Sequence, residues 1–293
     1  MIKYDPKSWF SLIFKFHKSD TFRQMRYVLL AFALYSFLVI YLVLHCPSIF
    51  TFKSTIQVHS LLGFVISMLL VFRTNTAYDR WWEGRKLWGS MINDSRNFAL
   101  KLNAILAKDD HANRAYFASM IPNYSYALKE HLRKGVDLDK LDYDNVDDFD
   151  HVRTAQHIPN AISNALYVRI NKLYREGHFS GEQLLILDKE IKSFTDIAGA
   201  CERIRSTPIP YSYSLFFKKV IFVYTATLPF GLVYDFKYWT IPIVCFMLYV
   251  FGSIELIAEE IEDPFGKDVN DLPTDEISLR IRVNVREILG YAK

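Results

Sequence analysis

The chain has 293 residues, of which 51% are hydrophobic, 16% aromatic and 23% charged, and its formal net charge at pH 7 is only +3. This small charge excludes nucleic acid from the expected partners. The three cysteines lie far apart without a CxxC pair, which excludes a disulfide framework or a thiolate zinc site. High hydrophobicity combined with many charges predicts very apolar segments alternating with polar ones.

The first apolar segment covers residues 27–44 and contains no charged residue. As a helix it is about 27 Å long, close to the thickness of a bilayer core. We therefore predict a membrane span here. The preceding segment, residues 1–26, is rich in lysine and arginine, and the positive-inside rule places it in the cytoplasm.

The second apolar segment, residues 56–72, runs without a turn residue into a stretch rich in charge and tryptophan. This stretch has no proline and only one interior glycine, Gly84, so one helix can carry both parts. Aliphatic residues followed by tryptophan and then by arginine and lysine are typical of a helix that leaves a bilayer. Residues 27–72 are therefore predicted to form a transmembrane hairpin.

On the second span, large apolar residues recur at four-residue steps and small ones lie on an adjoining face. One interpretation is that the large residues pack inside a helix bundle, which periodicity alone favours, while the small ones meet a neighbouring helix. The other is that several copies of this helix surround an axis and form hydrophobic rings, which can restrict ion flow by dewetting. The large residues are Phe64, Met68 and Phe72; the small ones are Ser60, Gly63 and Ser67.

Residues 73–214 are too polar to cross a membrane and are predicted to form a cytosolic helical domain, with helices over 93–106, 116–133, 158–176 and 181–203. The acidic stretch 137–150 lacks the glycine and the closing glutamate of a calcium loop, so we expect a solvated loop. Spans over 215–233 and 239–257 form a second hairpin, and residues 258–293 return to the cytoplasm. The prediction is an all-α protein with four membrane helices, in the inner (plasma) membrane with both termini cytoplasmic.

Four sequence blocks, at 72–89, 157–160, 199–211 and 261–266, resemble the bestrophin family, particularly its bacterial branch. They occur in the family's order and span most of the chain. The residues of these blocks that we expect to have structural roles are Arg73, Asn75, Arg80, Trp81, Trp82, Glu83, Gly84, Trp88, Glu202, Arg203, Pro208, Pro210, Asp263, Pro264, Phe265 and Gly266.

The resemblance implies a homopentameric ion channel whose subunits have four membrane helices and a cytosolic helical domain. Carried over by position, the family's hydrophobic neck falls on Phe64, Met68 and Phe72, and its cytosolic constriction on Leu185. We expect a pore for small monovalent ions, chiefly chloride and other anions. A sodium-conducting homologue and a non-conducting membrane scaffold or receptor are the alternatives. The sequence has no catalytic motif, so we expect no enzyme and no cofactor.

The animal members of the family conduct chloride under calcium control, through acidic residues that follow Pro-Phe-Gly. Here the chain continues with Lys267, and only Asp268 and Asp271 remain as weak calcium candidates. Because calcium needs several converging oxygens, no tight calcium gate is expected. Arg203 and Arg205 could line an anion path or pair with carboxylates such as Glu202 or Asp79, and Gly84 is expected to permit a close helix approach.

Overall fold

The structure, a computed structural model, describes residues 21–46, 55–143 and 149–291. The predicted segment before residue 21 and part of the acidic stretch, residues 144–148, lie outside the described residues. All regular elements in the described ranges are helical. The chain divides into two compact units. The first contains the described residues up to Arg80, with Pro208–Glu262 and Asp268–Asn270, and the second contains Trp81–Thr207, Asp263–Lys267 and the described residues from Asp271 onward.

The first unit begins with α1 (Thr21–His45), and α2 (Ile56–Ile105) contributes its N-terminal part. Helix α2 is 50 residues long and passes through Gly84 without a break, which confirms that one helix carries both the apolar and the tryptophan-rich parts. The separate helix predicted over 93–106 is the C-terminal part of α2. No residue in α2 removes a backbone donor, so the helical hydrogen bonds continue.

By length and composition, three helical stretches in the described residues could cross a membrane: α1, α2 and Tyr211–Glu262. The third stretch is made of α7 (Tyr211–Phe236), a 3₁₀ turn (Lys237–Trp239) and α8 (Thr240–Glu262). Lys237 has φ +45° and ψ −127°, a conformation that ends α7. The two last predicted spans therefore correspond to two helices within one apolar stretch.

The helices of the first unit pack through apolar faces. α8 packs against both α1 and α7. Helix α2 buries Ile66 and Leu70 in the same cluster as Phe217 and Ile221 of α7. A Cβ at Gly63 would lie 2.8 Å from the Tyr224 hydroxyl oxygen. Only a glycine lets α2 approach α7 this closely without displacing the tyrosine.

The second unit is formed by the C-terminal part of α2 with α3 (His111–His131), α4 (Asp150–Arg153), α5 (Ile158–Arg175), α6 (Gly181–Ser206) and α9 (Thr274–Ile288). Helix α3 begins five residues before the predicted start because Asp110 caps it: its Oδ1 accepts the Asn113 backbone N–H at 3.1 Å. Sequence periodicity missed this cap because the first turn contains few apolar residues.

The core of the second unit is aromatic. Trp88, Phe98, Phe117 and Phe194 are each completely buried. Phe98 contacts Phe117 and Phe194 edge to face, with ring centroids 6.1 and 5.9 Å apart. The C-terminal helix α9 packs on α3. Its Asp275 pairs with Lys129 at 2.8 Å and with Arg133 at 2.9 Å, so residues after the last apolar helix are an integral part of this unit.

Helix α6 begins with a capping box. The Ser180 hydroxyl accepts the Gln183 N–H at 3.3 Å, and the Gln183 side chain accepts the Ser180 N–H at 2.9 Å. Ser180→Ala is expected to weaken the first turn by about 1 kcal/mol, so amides there exchange about fivefold faster. Hydrogen–deuterium exchange on the purified protein measures this. Ser180→Asn, which still caps, should exchange like the wild type, and equal exchange in both variants would contradict the cap assignment.

Candidate functional site

The predicted neck residues lie on an exposed stripe of α2. Phe64, Met68 and Phe72 are 68%, 52% and 53% exposed, respectively. At about 100° of rotation per residue, this stripe is centred about 180° from Ile66 and Leu70, which face the packed side of the helix. The structure therefore separates a packed face of α2 from an apolar face that is largely exposed in this unit.

This arrangement bears on the first of the two interpretations of the stripe. The interpretation that its residues form the core of the chain's own bundle is wrong, because all three are exposed. Of the small residues on the adjoining face, Gly63 meets α7, whereas Ser60 and Ser67 are exposed. The assignment of the stripe to a pore neck stays a prediction.

Leu185, the candidate for a cytosolic constriction, is 74% exposed on α6. The buried residues Leu187, Ile191 and Phe194 lie on the other side of the helix, about 180–240° away around the axis. Leu185 is thus a large apolar side chain that is exposed opposite the packed face of its helix, as the three residues of the neck stripe are on α2.

A buried charge cluster, formed by Arg73, Glu255 and Glu262, follows the stripe directly. The Arg73 side chain is completely buried, and its Nη2 donates to Glu262 Oε2 at 2.8 Å. Its Nε lies 3.5 Å from Glu255 Oε2, and the Glu255 side chain is 5% exposed. Arg73 is the residue after Phe72, so the cluster fixes the rotation of α2 where the stripe ends.

Glu262 connects this cluster to two further chain segments. Its Oε1 accepts the Ile209 N–H at 2.7 Å, and its backbone oxygen accepts from Arg80 Nε at 3.1 Å. Nearby on α8, Glu259 pairs with Lys218 at 2.9 Å in an exposed ion pair. The family-motif arginines Arg73 and Arg80 therefore hold α2 to the end of α8.

Gly84 permits a close approach, as predicted, but to a loop rather than a helix. A Cβ at Gly84 would lie 3.1 Å from the ring of Phe265 and 3.3 Å from Leu272. Phe265 itself is buried, and the backbone oxygens of Phe265 and Gly266 accept from Arg133 Nε at 3.1 Å. The Asp-Pro-Phe-Gly motif thus packs on the tryptophan-rich part of α2 within the second unit.

The two motif arginines on α6 have structural partners. Arg203 pairs with a carboxylate, as one of the two interpretations held, but its partner at 2.7 Å is Glu83 rather than either of the examples named, Glu202 and Asp79. Arg205 donates to the backbone oxygens of His131 and Arg133 at 2.6 and 2.7 Å. The sequence does not specify how α6 and α2 are aligned with each other. It therefore could not select Glu83 among the several carboxylates that were possible partners.

The other motif residues vary in burial. Trp81 and Trp82 stack with ring centroids 6.5 Å apart, and Trp82 is 47% exposed. Trp88 lies in the core of the second unit. Asn75, Pro208 and Asp263 are exposed, Pro264 is buried, and Pro210 lies immediately before α7.

The weak calcium candidates do not form a carboxylate cluster. Asp268 is exposed, and Asp271 is buried beside Gly266, where a Cβ would meet its carboxylate at 2.6 Å. Among the described residues, the only group of three or more histidine, cysteine or acidic side chains with ligand atoms within 4.8 Å of one another lies elsewhere. Neither aspartate belongs to that group.

That group consists of His131, His157 and Glu202, and the sequence analysis missed it. Glu202 Oε1 lies 2.9 Å from His131 Nε2 and 2.7 Å from His157 Nε2. Burial and the neighbouring His157 lower the pKa of His131, while burial raises the pKa of the adjacent Cys201 thiol to about 12. Cys201 itself is not a member of the group. His157 and Glu202 lie in two of the motif blocks, which was the available signal.

The sequence model of a family described as bacterial and fungal bestrophin protein matches residues 1–287. The chain belongs to the bestrophin family. Two curated relatives are named voltage-dependent anion channel-forming proteins. The one from Ralstonia nicotianae is 35% identical, over 79% of this chain and 76% of its own length. The one from Escherichia coli K12, YneE, is 32% identical, over 100% of this chain and 95% of its own length.

Solved structures agree with the family assignment. Two crystal structures of a bacterial bestrophin homologue from Klebsiella pneumoniae both align with a TM-score of 0.83. One carries a leucine-to-threonine mutation, is 29% identical and aligns over 90% of this chain and 98% of its own. The other was phased with zinc, is 30% identical and aligns over 91% of this chain and 98% of its own. The chain therefore has the all-helical bestrophin fold of a membrane protein, and the names of its relatives indicate a channel rather than an enzyme.

Proposed function

We propose that five copies of the chain form a channel in the inner membrane that conducts chloride and other small anions along an axis lined by α2. Helices α1, α7, α8 and the apolar part of α2 cross the bilayer, both termini are cytoplasmic, and the second unit is the cytosolic domain. One observation carries this proposal: the stripe of Phe64, Met68 and Phe72 is apolar, exposed and opposite the packed face of α2.

The geometry of the stripe supports a neck that acts by hydrophobicity and width. Copies of α2 around one axis would stack the stripe into three apolar rings, and a narrow apolar constriction resists wetting. Such rings carry no charge and discriminate weakly between anions and cations. Gln57, Asn75 and Asp79 continue the same stripe at its two ends and are exposed, so polar groups would flank the rings.

The names of the relatives support chloride as the main permeating ion, since they are described as anion channel-forming proteins. The exposed carboxylate of Asp79 on the same stripe is the observation that favours the alternative, a sodium-conducting channel. Leu185, exposed on α6, is the candidate for a second constriction in the cytosolic domain.

The sign of the permeating ion is measured by reversal potential. With purified protein in a planar bilayer and a tenfold gradient of sodium chloride, a chloride-selective pore reverses near the chloride potential, about 59 mV in magnitude. A sodium-selective pore reverses at the same magnitude with the opposite sign. We expect the chloride value. Reversal at the sodium potential would refute anion selectivity while leaving the channel assignment intact.

Oligomeric state and flux together test the channel itself. We expect a pentamer by mass measurement in mild detergent and ion flux from liposomes that contain it. A monomer under these conditions would refute the pore, because four crossings per chain cannot enclose an axis lined by α2. Intact pentamers without any flux would instead favour the non-conducting scaffold.

A further inference from the structure

Two imidazoles and one carboxylate from three separate helix ends converge in the second unit. His131 is the last residue of α3, His157 immediately precedes α5, and Glu202 lies near the end of α6. The three ligand atoms lie within 4.8 Å of one another, and all three residues are half-buried. Residues separated by 26 and 45 positions in sequence are brought together by the fold rather than by a local motif.

We propose that His131, His157 and Glu202 bind a zinc ion. Two imidazole nitrogens and one carboxylate oxygen are a common donor set for zinc, which then takes water in its fourth position. Because the three side chains are half-buried, solvent can reach that position. This site does not depend on the channel assignment, since its three ligands all belong to the second unit.

The present distances from Glu202 to the two imidazoles require only a small adjustment for zinc. Zinc–nitrogen and zinc–oxygen bonds of about 2.0–2.2 Å in a tetrahedron place the ligand atoms about 3.3 Å apart. Glu202 Oε1 now accepts from the two imidazoles at 2.9 and 2.7 Å. The carboxylate therefore has to withdraw by about half an ångström, which a half-buried glutamate achieves by rotating its side chain.

The positions of the imidazole protons make zinc binding compete with the cap of α5 by His157. His157 Nδ1 accepts the Asn160 backbone N–H at 3.1 Å, so the proton of the neutral ring is on Nε2. Zinc needs the lone pairs at both Nε2 atoms, so the Nε2 protons of His131 and His157 move to the Nδ1 atoms through solvent. The cap of α5 is then lost, at a cost of one hydrogen bond. Protonation of either imidazole blocks coordination, so zinc affinity falls as the pH falls.

Charges around the site set its strength. Glu202 attracts a cation, and Glu83 is engaged by Arg203 at 2.7 Å. The Arg205 guanidinium, bound to the backbone oxygen of His131 at 2.6 Å, repels one. The single negative charge of Glu202 is therefore partly opposed by Arg205, so a chelator is expected to remove the metal.

Zinc binding is tested on the full-length protein, purified without a histidine tag and treated with a chelator. We expect titration with zinc chloride to give one zinc per chain and to raise the midpoint of thermal unfolding, because the metal links three helix ends in the folded state only. Cobalt added in its place should give the visible absorption bands of a tetrahedral site. No stoichiometric zinc uptake by the wild type would refute the site.

Two variants remove one ligand each while keeping the local structure. His157→Asn retains an oxygen that can cap α5, and Glu202→Gln retains an acceptor for the imidazoles. Each is expected to bind zinc at least about 100-fold more weakly and to lose the zinc-dependent rise in the midpoint. His178→Asn, at an exposed histidine between α5 and α6, is the matched control and should bind like the wild type. Wild-type zinc binding by both ligand variants would overturn the proposal, and their zinc-free midpoints verify that they fold.

Discussion

Simultaneous replacement of Phe64, Met68 and Phe72 by alanine is expected to raise ion flux through the reconstituted protein by about tenfold. The three side chains are exposed on one stripe of α2, and in the proposed assembly they form its narrowest apolar rings. Alanines widen the rings and admit water, which lowers the barrier to a permeating ion. A decrease of about 1.4 kcal/mol in that barrier corresponds to a tenfold rise in rate. Chloride efflux from liposomes of equal protein content measures it.

The same helix provides a matched control for the neck. Val58 and Leu62 are 58% and 44% exposed on α2 but lie about 80–120° away from the stripe. Val58→Ala with Leu62→Ala removes apolar surface from the same span without widening the proposed rings, so flux should remain at the wild-type level. If the triple variant assembles normally and its flux equals that of this control, the stripe is not the neck.

Much of the fold could be predicted because the relevant signals are local. The apolar segment of α2 and its charged continuation contain no proline, and one unbroken helix follows from this alone. The turn at Lys237 falls between the two spans of the predicted second hairpin, 215–233 and 239–257. In contrast, the start of α3 depends on a single side-chain cap at Asp110, which apolar periodicity does not detect.

The candidate site was only partly predictable because its parts are joined over long sequence distances. The stripe was visible from four-residue spacing, but its exposure depends on which face of α2 meets α7, and that is decided by Gly63 and Tyr224. The pairing of Arg203 with Glu83 and the convergence of His131 on Glu202 depend on the register between helices, which no single helix specifies.

The two faces of α2 give this helix two roles in one unit. On one side Ile66 and Leu70 hold it in the apolar core, and on the other the neck stripe is left uncovered. The rotation of the helix decides which face an axis would see. Besides the contact of Gly63 with Tyr224, Arg73 holds this rotation directly after the stripe through its pairs with Glu255 and Glu262.

Removal of the Arg73 charge is expected to destabilise the protein strongly. Arg73→Met leaves the buried carboxylate of Glu255 and the partly buried carboxylate of Glu262 without their cationic partner. Loss of one partner from a buried ion pair costs about 3–5 kcal/mol, because the remaining charge stays desolvated. Thermal unfolding of the purified protein and the fraction that elutes as an assembled species measure the loss. Arg73→Lys is expected to recover it only in part, since a single ammonium cannot reach both carboxylates with the same geometry.

A triple variant that removes all three charges of the cluster distinguishes the loss of charge pairing from the loss of side-chain packing. In Arg73→Met with Glu255→Gln and Glu262→Gln, no buried charge remains, so we expect more of the stability to return than in Arg73→Met alone. Lys218→Met, which breaks the exposed pair with Glu259, is the matched control and should cost no more than about 1 kcal/mol. If Arg73→Met were no more damaging than Lys218→Met, the buried cluster would not hold α2 to α8. The stripe ends at Phe72, next to Arg73. If the charge-neutral variant recovers its stability but its ion flux differs from that of the wild type, the rotation of α2, and not its stability alone, controls ion flux.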